Sequence, residues 1–406
     1  MLFDPARHEP LAPIAWDESR ARAMIERIAA DTAAHYADGI VRPVHQRDGA
    51  PERALHGELY HGAGGVLWAL HHLRGVGATT ERINVGMVED VAKRHREWQD
   101  SFGGTEFASY LIGDLGLLLL RYALQPSDAL ADRIAALVRG NLHHPARELM
   151  WGAPGTLLVA LLLYRHTGGG RWADLFRLTA RALWGELLWS DEHRCRYWRQ
   201  DMYGTQSTYL DAVHGFAGAA GVVIRGRDLL DAAEWRDWEQ CIENTIARTA
   251  TVAGDQANWR VFLDAPAGQE RRMLMQFCHG APGFVACLAG LPGPALGGLL
   301  LAAGEAAWAA GPLAKGANLC HGTGGNGYAF LKLFRRTNDP CWLERARAFA
   351  MHGMEQCEHD ALRFGQLHHS LWTGDLGFAI YLWNCIRGTD EFPCLDVFFS
   401  DSRATG

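Results

Sequence analysis

The sequence predicts an all-α protein: seven helical hairpins closed into a double-layered α/α toroid. Two observations carry this. A Gly-x-x-Gly followed by about eight to ten apolar residues starts at Gly62, Gly113, Gly152, Gly215, Gly280, Gly322 and Gly374, at spacings of 51, 39, 63, 65, 42 and 52 residues. The intervening segments are helical in composition, rich in Ala, Leu, Arg and Glu, with no sustained Val/Ile/Thr alternation. Repeats of this period are stacked supersecondary units that cannot bury their apolar faces alone.

Outer, amphipathic helices are expected over 17–37, 132–142, 172–188, 228–249 and 343–356. Each would lead through a loop into a glycine-initiated inner helix. The inner helices are apolar on every side and so must be surrounded by other helices, which a closed ring achieves. The glycines let helix starts approach one another, and the loops converge at one end. The two long spacings come from polar, aromatic-rich insertions at 191–209 and 254–272, expected to form a rim that recognises a peptide.

A closed ring is one cooperative unit, so residues 1–406 are read as a single domain with its core motifs over about 56–385. A formal charge of -7 without a basic run argues against nucleic acid and anionic membrane as partners. The longest apolar runs, 155–164 and 295–310, are too short, or too broken by Gly and Glu305, to span a bilayer. No basic start followed by an apolar core opens the chain, so the expected location is cytoplasmic. Nine scattered cysteines suit reduced thiols. His71, His72, His143 and His144 read as solvated.

Two Cys-His-Gly turns, Cys278-His279-Gly280 and Cys320-His321-Gly322, stand at equivalent repeat positions. Thiolate and imidazole are preferred ligands of zinc, and three protein ligands leave a position open for substrate.

CHGAPG at 278–283, CHGTGGNGYAFLKL at 320–333, AVHGFAG at 212–218, ELMWGAPG at 148–155 and HSLWTGDLG at 369–377 resemble the lanthionine synthetase C-like family. The resemblance implies a double ring of seven hairpins. It also implies addition of a thiol to a dehydroalanine or dehydrobutyrine, by peptide cyclisation or, in eukaryotic-type members, with glutathione. Position by position, it makes Cys278, Cys320 and His321 the ligands of Zn2+, His214 the acid/base that protonates the enolate, and Glu148 its orienting partner. Phe277 replaces the Trp common in cyclases, while His279 and Lys315 match the eukaryotic-type branch and become substrate contacts.

Arg271 and Arg272 add positive charge suited to a peptide carboxylate. Nothing before the ring is long enough for a dehydratase, so the expected activity is the addition step alone, on a dehydrated peptide or protein. The competing reading is a non-catalytic zinc-binding scaffold that binds a protein or peptide partner. A third, a helical-ring glycosidase or epimerase, needs paired carboxylates at the mouth, for which Asp114 and Asp375 are candidates.

Overall fold

Each of the seven glycine-led runs forms a helix whose N-cap is the first glycine of its motif. The computed structural model describes residues 1–36, 45–48, 57–84, 86–101, 104, 106–202, 204–266, 268 and 273–400. The inner helices are α2 (Ala63–Gly75), α4 (Asp114–Leu124), α6 (Ala153–Thr167), α8 (Phe216–Arg225), α10 (Ala281–Leu288), α12 (Thr323–Thr337) and α14 (Asp375–Arg387). The outer helices are α1 (Glu18–His35), α3 (Gly86–Ser101), α5 (Asp128–Gly140), α7 (Gly170–Gly185), α9 (Ala232–Thr249), α11 (Gly297–Ala310) and α13 (Pro340–Phe364).

The hairpin runs from inner to outer, the reverse of the sequence expectation. Helices α4, α6, α10 and α12 each pack on the outer helix that follows. That leaves α14 without a following partner, and α1 takes the place, packing on α14 and α13. Arg22 of α1 lies over the Trp383 ring at 5.3 Å, and Arg20 pairs with Glu355 and Glu358 of α13. The first helix therefore closes the outer layer, while α14 against α2 closes the inner one.

One steric detail shapes every turn before an inner helix. A Cβ on the second glycine of the motif, at Gly65, Gly116, Gly155, Gly218, Gly283, Gly325 or Gly377, would lie inside 3.0 Å of a main-chain carbonyl six residues earlier. Only a bare Cα admits that carbonyl. The turns are then stitched to one another: Tyr60 N to Leu111 O (2.9 Å), Leu149 N to Val213 O (3.1 Å), Cys278 N to Cys320 O (3.0 Å) and Cys320 N to Trp372 O (3.0 Å).

Strands were not expected, yet three short antiparallel hairpins form within and just before the two insertions. Leu188–Ser190 (β1) pairs with Cys195–Tyr197 (β2), Gln200–Met202 (β3) with Thr205–Ser207 (β4), and Ala250–Ala253 (β5) with Gln256–Trp259 (β6). At three or four residues each, these strands are too short to show alternation.

The segment after α14 fills the lumen. Phe392 stacks on Phe277 at 4.4 Å and lies tilted against Tyr328 at 4.5 Å, while Trp68 and Tyr110 donate to the Phe398 and Cys394 carbonyls at 2.9 and 2.6 Å. Asp396 pairs with Lys332 at 2.8 Å and Arg225 at 2.6 Å. Burial opposes its ionisation, but those two cations hold its carboxyl well below the usual carboxylate range. Among the described residues no helix is long and apolar enough to cross a membrane.

Two predictions test this packing. Asp396→Asn takes the carboxylate from Arg225 and leaves Lys332 with Asp390 alone, and should cost about 3 kcal/mol, read from urea unfolding midpoints. His72, expected to be solvated, is instead buried against Trp68 at a ring distance of 5.0 Å, and burial pushes it down to about 4. Between its ordinary 6.5 and about 4, the unfolded chain takes up this proton and the folded chain does not, so stability falls as pH drops through that window. His72→Phe should therefore lose about 2 kcal/mol less than the parent between pH 7 and pH 5.

Candidate metal centre

The turn geometry assigns roles by register. Two residues before the first glycine of each motif stand Tyr60, Leu111, Met150, Val213, Cys278, Cys320 and Trp372; one before it stand His61, Ile112, Trp151, His214, His279, His321 and Thr373. The glycine contact fixes the direction of both positions, so chemistry written there converges on one mouth. Four before the glycine stand Glu58, Ser109, Glu148, Asp211, Gln276, Asn318 and Ser370, every one polar and buried. These close their own turns: Asp211 accepts from the Val213 and His214 N–H groups at 3.0 and 2.7 Å, Glu148 from Met150 N at 3.0 Å and from Trp151 N, and Asn318 from His321 N at 3.0 Å.

Cys278, Cys320 and His321 come together as expected, with one ligand atom from each within 4.8 Å of the others. Both thiols are buried and the imidazole is half-buried. Tyr60 donates its hydroxyl to Cys320 Sγ at 2.7 Å, and Gln276 donates to Cys278 Sγ at 2.9 Å. Cys320 is the better thiolate. Its pKa is held well below the ordinary thiol value by the hydrogen bond from Cys278, against the cost of burial, with His321 and Tyr60 adding to the effect. Burial and the thiolate beside it keep the Tyr60 hydroxyl protonated, so it remains a donor.

Two sulfurs and an imidazole, buried and already served by outside donors, fit zinc. Zinc bound here would be held by Cys278, Cys320 and His321. Glu192, His193 and Asp264 form a second close group among the described residues, but it lies on the open rim with both carboxylates exposed.

Beside the cluster stand two histidine–carboxylate pairs. His214 Nδ1 donates to Glu148 Oε2 at 2.9 Å, and His279 Nδ1 donates to Asp211 Oδ2 at 2.7 Å. Both carboxylates are fully buried, while the imidazoles keep 27% and 20% of their surface. The rings lie 6.0 Å apart, with Tyr209 against both at 5.5 and 6.3 Å. Burial works against a charged His214, but the Glu148 hydrogen bond, the Asp211 and Glu148 charges and the Cys320 thiolate together push it up to about 9. An imidazole so placed is an acid at neutral pH. Burial would raise Asp211, yet His279 and His214 hold its carboxyl below the usual range.

The remaining expectations fare differently. Lys315 is exposed, five residues before Cys320, and its carbonyl accepts from Arg47 at 2.9 Å and Asn318 at 3.2 Å. Among the described residues its ammonium makes no ion pair with the cluster. Arg271 and Arg272 lie outside the described residues. Asp114 and Asp375 are not an acid/base pair, because each accepts the N–H seven residues earlier, from Phe107 at 2.7 Å and His368 at 2.8 Å. Sequence reasoning missed Tyr60, Gln276 and Asp211. Their common signal is phase, since each occupies a repeat register already known to matter elsewhere in the chain.

The sequence profile of the Lanthionine synthetase C-like protein family matches residues 20–397. The chain belongs to that family. Glutathione S-transferase LANCL1 of Danio rerio is 35% identical over 137 residues, covering 32% of this chain and 33% of its own length. LanC-like protein GCL1 of Arabidopsis thaliana is 29% identical over 269 residues, covering 62% of this chain and 58% of its own. The matches thus span about a third and just over half of these relatives. Nisin cyclase superposes with a TM-score of 0.63 at 16% identity, covering 94% of this chain and 99% of its own. That likeness establishes a lanthionine synthetase C-like ring.

The metal assignment makes a direct prediction. Elemental analysis of the purified protein should give about one zinc per chain. Cys278→Ala and Cys320→Ala should each abolish it; a full equivalent retained in either variant would place the metal elsewhere.

Proposed function

We propose that this chain is an enzyme that adds a thiol to a dehydroamino acid, forming a thioether, with glutathione or another small thiol as the nucleophile. The observation that carries the reading is the three-donor cluster beside an imidazole that is charged at neutral pH. A metal-bound thiol is deprotonated, and zinc at this site would supply that chemistry.

The chain's own residues do the rest. Attack of sulfur on the β-carbon leaves an enolate, and its α-carbon needs a proton. His214 is an acid held in place for that transfer: Glu148 fixes its Nδ1, so the other ring nitrogen faces the mouth. Glu148 has a double duty, since the same carboxylate closes the turn before α6. The low pKa of Cys320 supplies one thiolate, while a hydrogen bond to that thiolate, with burial, holds Cys278 protonated, so a bound metal would have to take the second proton.

Support for a small thiol comes from the ring's edge. A cavity of about 740 Å³ is lined by Arg47, Arg363, Glu9 and Asp360, with Ala314 and Gly316 on either side of Lys315. Walls of both signs suit a zwitterion, and the same turn carries Cys320 and His321. Lys315 and His279 are proposed as substrate contacts, as is Arg271. The relative named for glutathione points the same way. All nine cysteines are free, in keeping with a reducing, cytoplasmic setting.

The test is mass spectrometry of glutathione mixed with a dehydroalanine-containing peptide, with and without the zinc-loaded protein. A thioether adduct should form well above background. His214→Ala should keep zinc and fold yet lose about 10²–10⁴-fold in rate. Cyclisation of a cysteine-bearing dehydrated peptide without glutathione adduct would make the thiol a peptide's own. Full zinc occupancy with neither product would leave the scaffold reading.

A further inference from the structure

In each of the seven turns the residue one before the first glycine is half-open, while its chain neighbours on both sides are buried. These residues line the mouth. The turns follow one another round the ring in chain order: the main-chain bonds given above join first to second, third to fourth, fifth to sixth and sixth to seventh, Ser109 of the second donates to the Met150 carbonyl of the third, and α8 packs on α10. The mouth therefore has two chemical halves. His214, His279 and His321 stand on the fourth, fifth and sixth turns, whereas Ile112 and Trp151 stand on the second and third. In a ring of seven, the second turn is the one opposite the pair that carries Cys278 and Cys320.

Phe107 extends the apolar half. Its ring lies edge-on to Trp151, with centroids 6.5 Å apart and planes at 78°. At 43% exposed it is, among the described residues, the large hydrophobic left open in a turn that leads to an inner helix. Trp151 is tied to the chemistry as well, because the Glu148 carboxylate that accepts its N–H also accepts His214 Nδ1–H. One carboxylate thus holds the main chain under the indole and the imidazole on the next turn.

The two partners in a thiol addition differ in polarity. The mixed-charge cavity beside Ala314 and Gly316 adjoins the sixth turn and suits a zwitterionic thiol. Aromatic and aliphatic surface across the mouth is left for the electrophile. A flanking residue, one Cα step of about 3.8 Å from the reacting position with its side chain beyond, is the part of a peptide that extends from beside His214 to the neighbouring turn.

We propose that Phe107, Ile112 and Trp151 form an apolar subsite for the side chain next to the dehydroamino acid, so that the electrophile is a peptide with a bulky apolar residue flanking the reacting position. The reaction rests on the thiol-addition reading; the subsite rests on the register and exposure of three side chains.

Two measurements on the full, zinc-loaded chain keep these apart. The first is calorimetric binding of an unreactive peptide pair, with alanine at the reacting position and either phenylalanine or glycine on both sides of it. The phenylalanine peptide should bind about tenfold tighter. The second is kcat/KM for glutathione addition to the matching dehydroalanine peptides, which should favour phenylalanine by about tenfold or more. Phe107→Ser and Trp151→Ala should each remove most of both preferences, with zinc at one equivalent to report an intact site. Leu178→Ser, at an exposed leucine midway along α7, should change neither. Equal affinity for the two unreactive peptides, or a preference that survives both mouth substitutions, overturns the proposal. Thioether formed equally well from both dehydroalanine peptides overturns it too and leaves the thiol addition standing. A binding preference lost in Phe107→Ser, with no thioether from either peptide, sinks the reaction and keeps the subsite.

Discussion

Seven peptide carbonyls packed onto seven bare Cα atoms are the contact on which this molecule depends. Each carbonyl sits six residues before the second glycine of its motif, and any side chain there would collide with it. The contact locks the turn, and the turn aims the next two residues at the mouth. Scaffold and chemistry are thereby separated. Glycine is demanded where the carbonyl lands, while the two aimed positions accept Tyr, Leu, Met, Val, Cys or Trp, and His, Ile, Trp or Thr, without altering the ring. A metal centre needs only that neighbouring turns carry thiols and an imidazole at positions already pointing inward.

Much of this was legible. The glycines marked all seven inner N-caps to the residue, because a helix start with no side-chain cap has few other solutions. The direction of the hairpin was not legible, since apolar periodicity says which face is buried and not which neighbour covers it. Only the packing of α1 on α14 decides it. His72 was misread because the pair His71-His72 resembles a polar step, whereas the helix puts one ring outward and the other against Trp68. The cluster of Cys278, Cys320 and His321 was readable from its paired signature. Asp211 was not, because a lone Asp before a helix has an ordinary capping role. It performs that role too, and only the second oxygen's reach to His279 distinguishes it.

The buried carboxylates of Glu148 and Asp211 explain how the site is rigid before any ligand arrives. Each is fully removed from solvent, and each satisfies its oxygens with two main-chain N–H groups and one imidazole. Such a group is costly unless every bond is made, so the turn, the carboxylate and the histidine form or fail together. Sulfur is treated likewise, with Tyr60 donating to Cys320 from another turn and Gln276 to Cys278 from the same one.

The lumen-filling segment after α14 has a consequence for how such a ring is made. It contacts residues from α2, α8 and α12 and from the turns before α4 and α10, yet it follows all of them along the chain. On a ribosome, α1 must wait for α14 before it has a surface to cover, and the central aromatic cluster stays open until Phe392 and Phe398 emerge. A nascent chain halted before that point presents an unfilled apolar hollow, so the interval before this segment emerges is the one in which the ring is most open to wrong contacts.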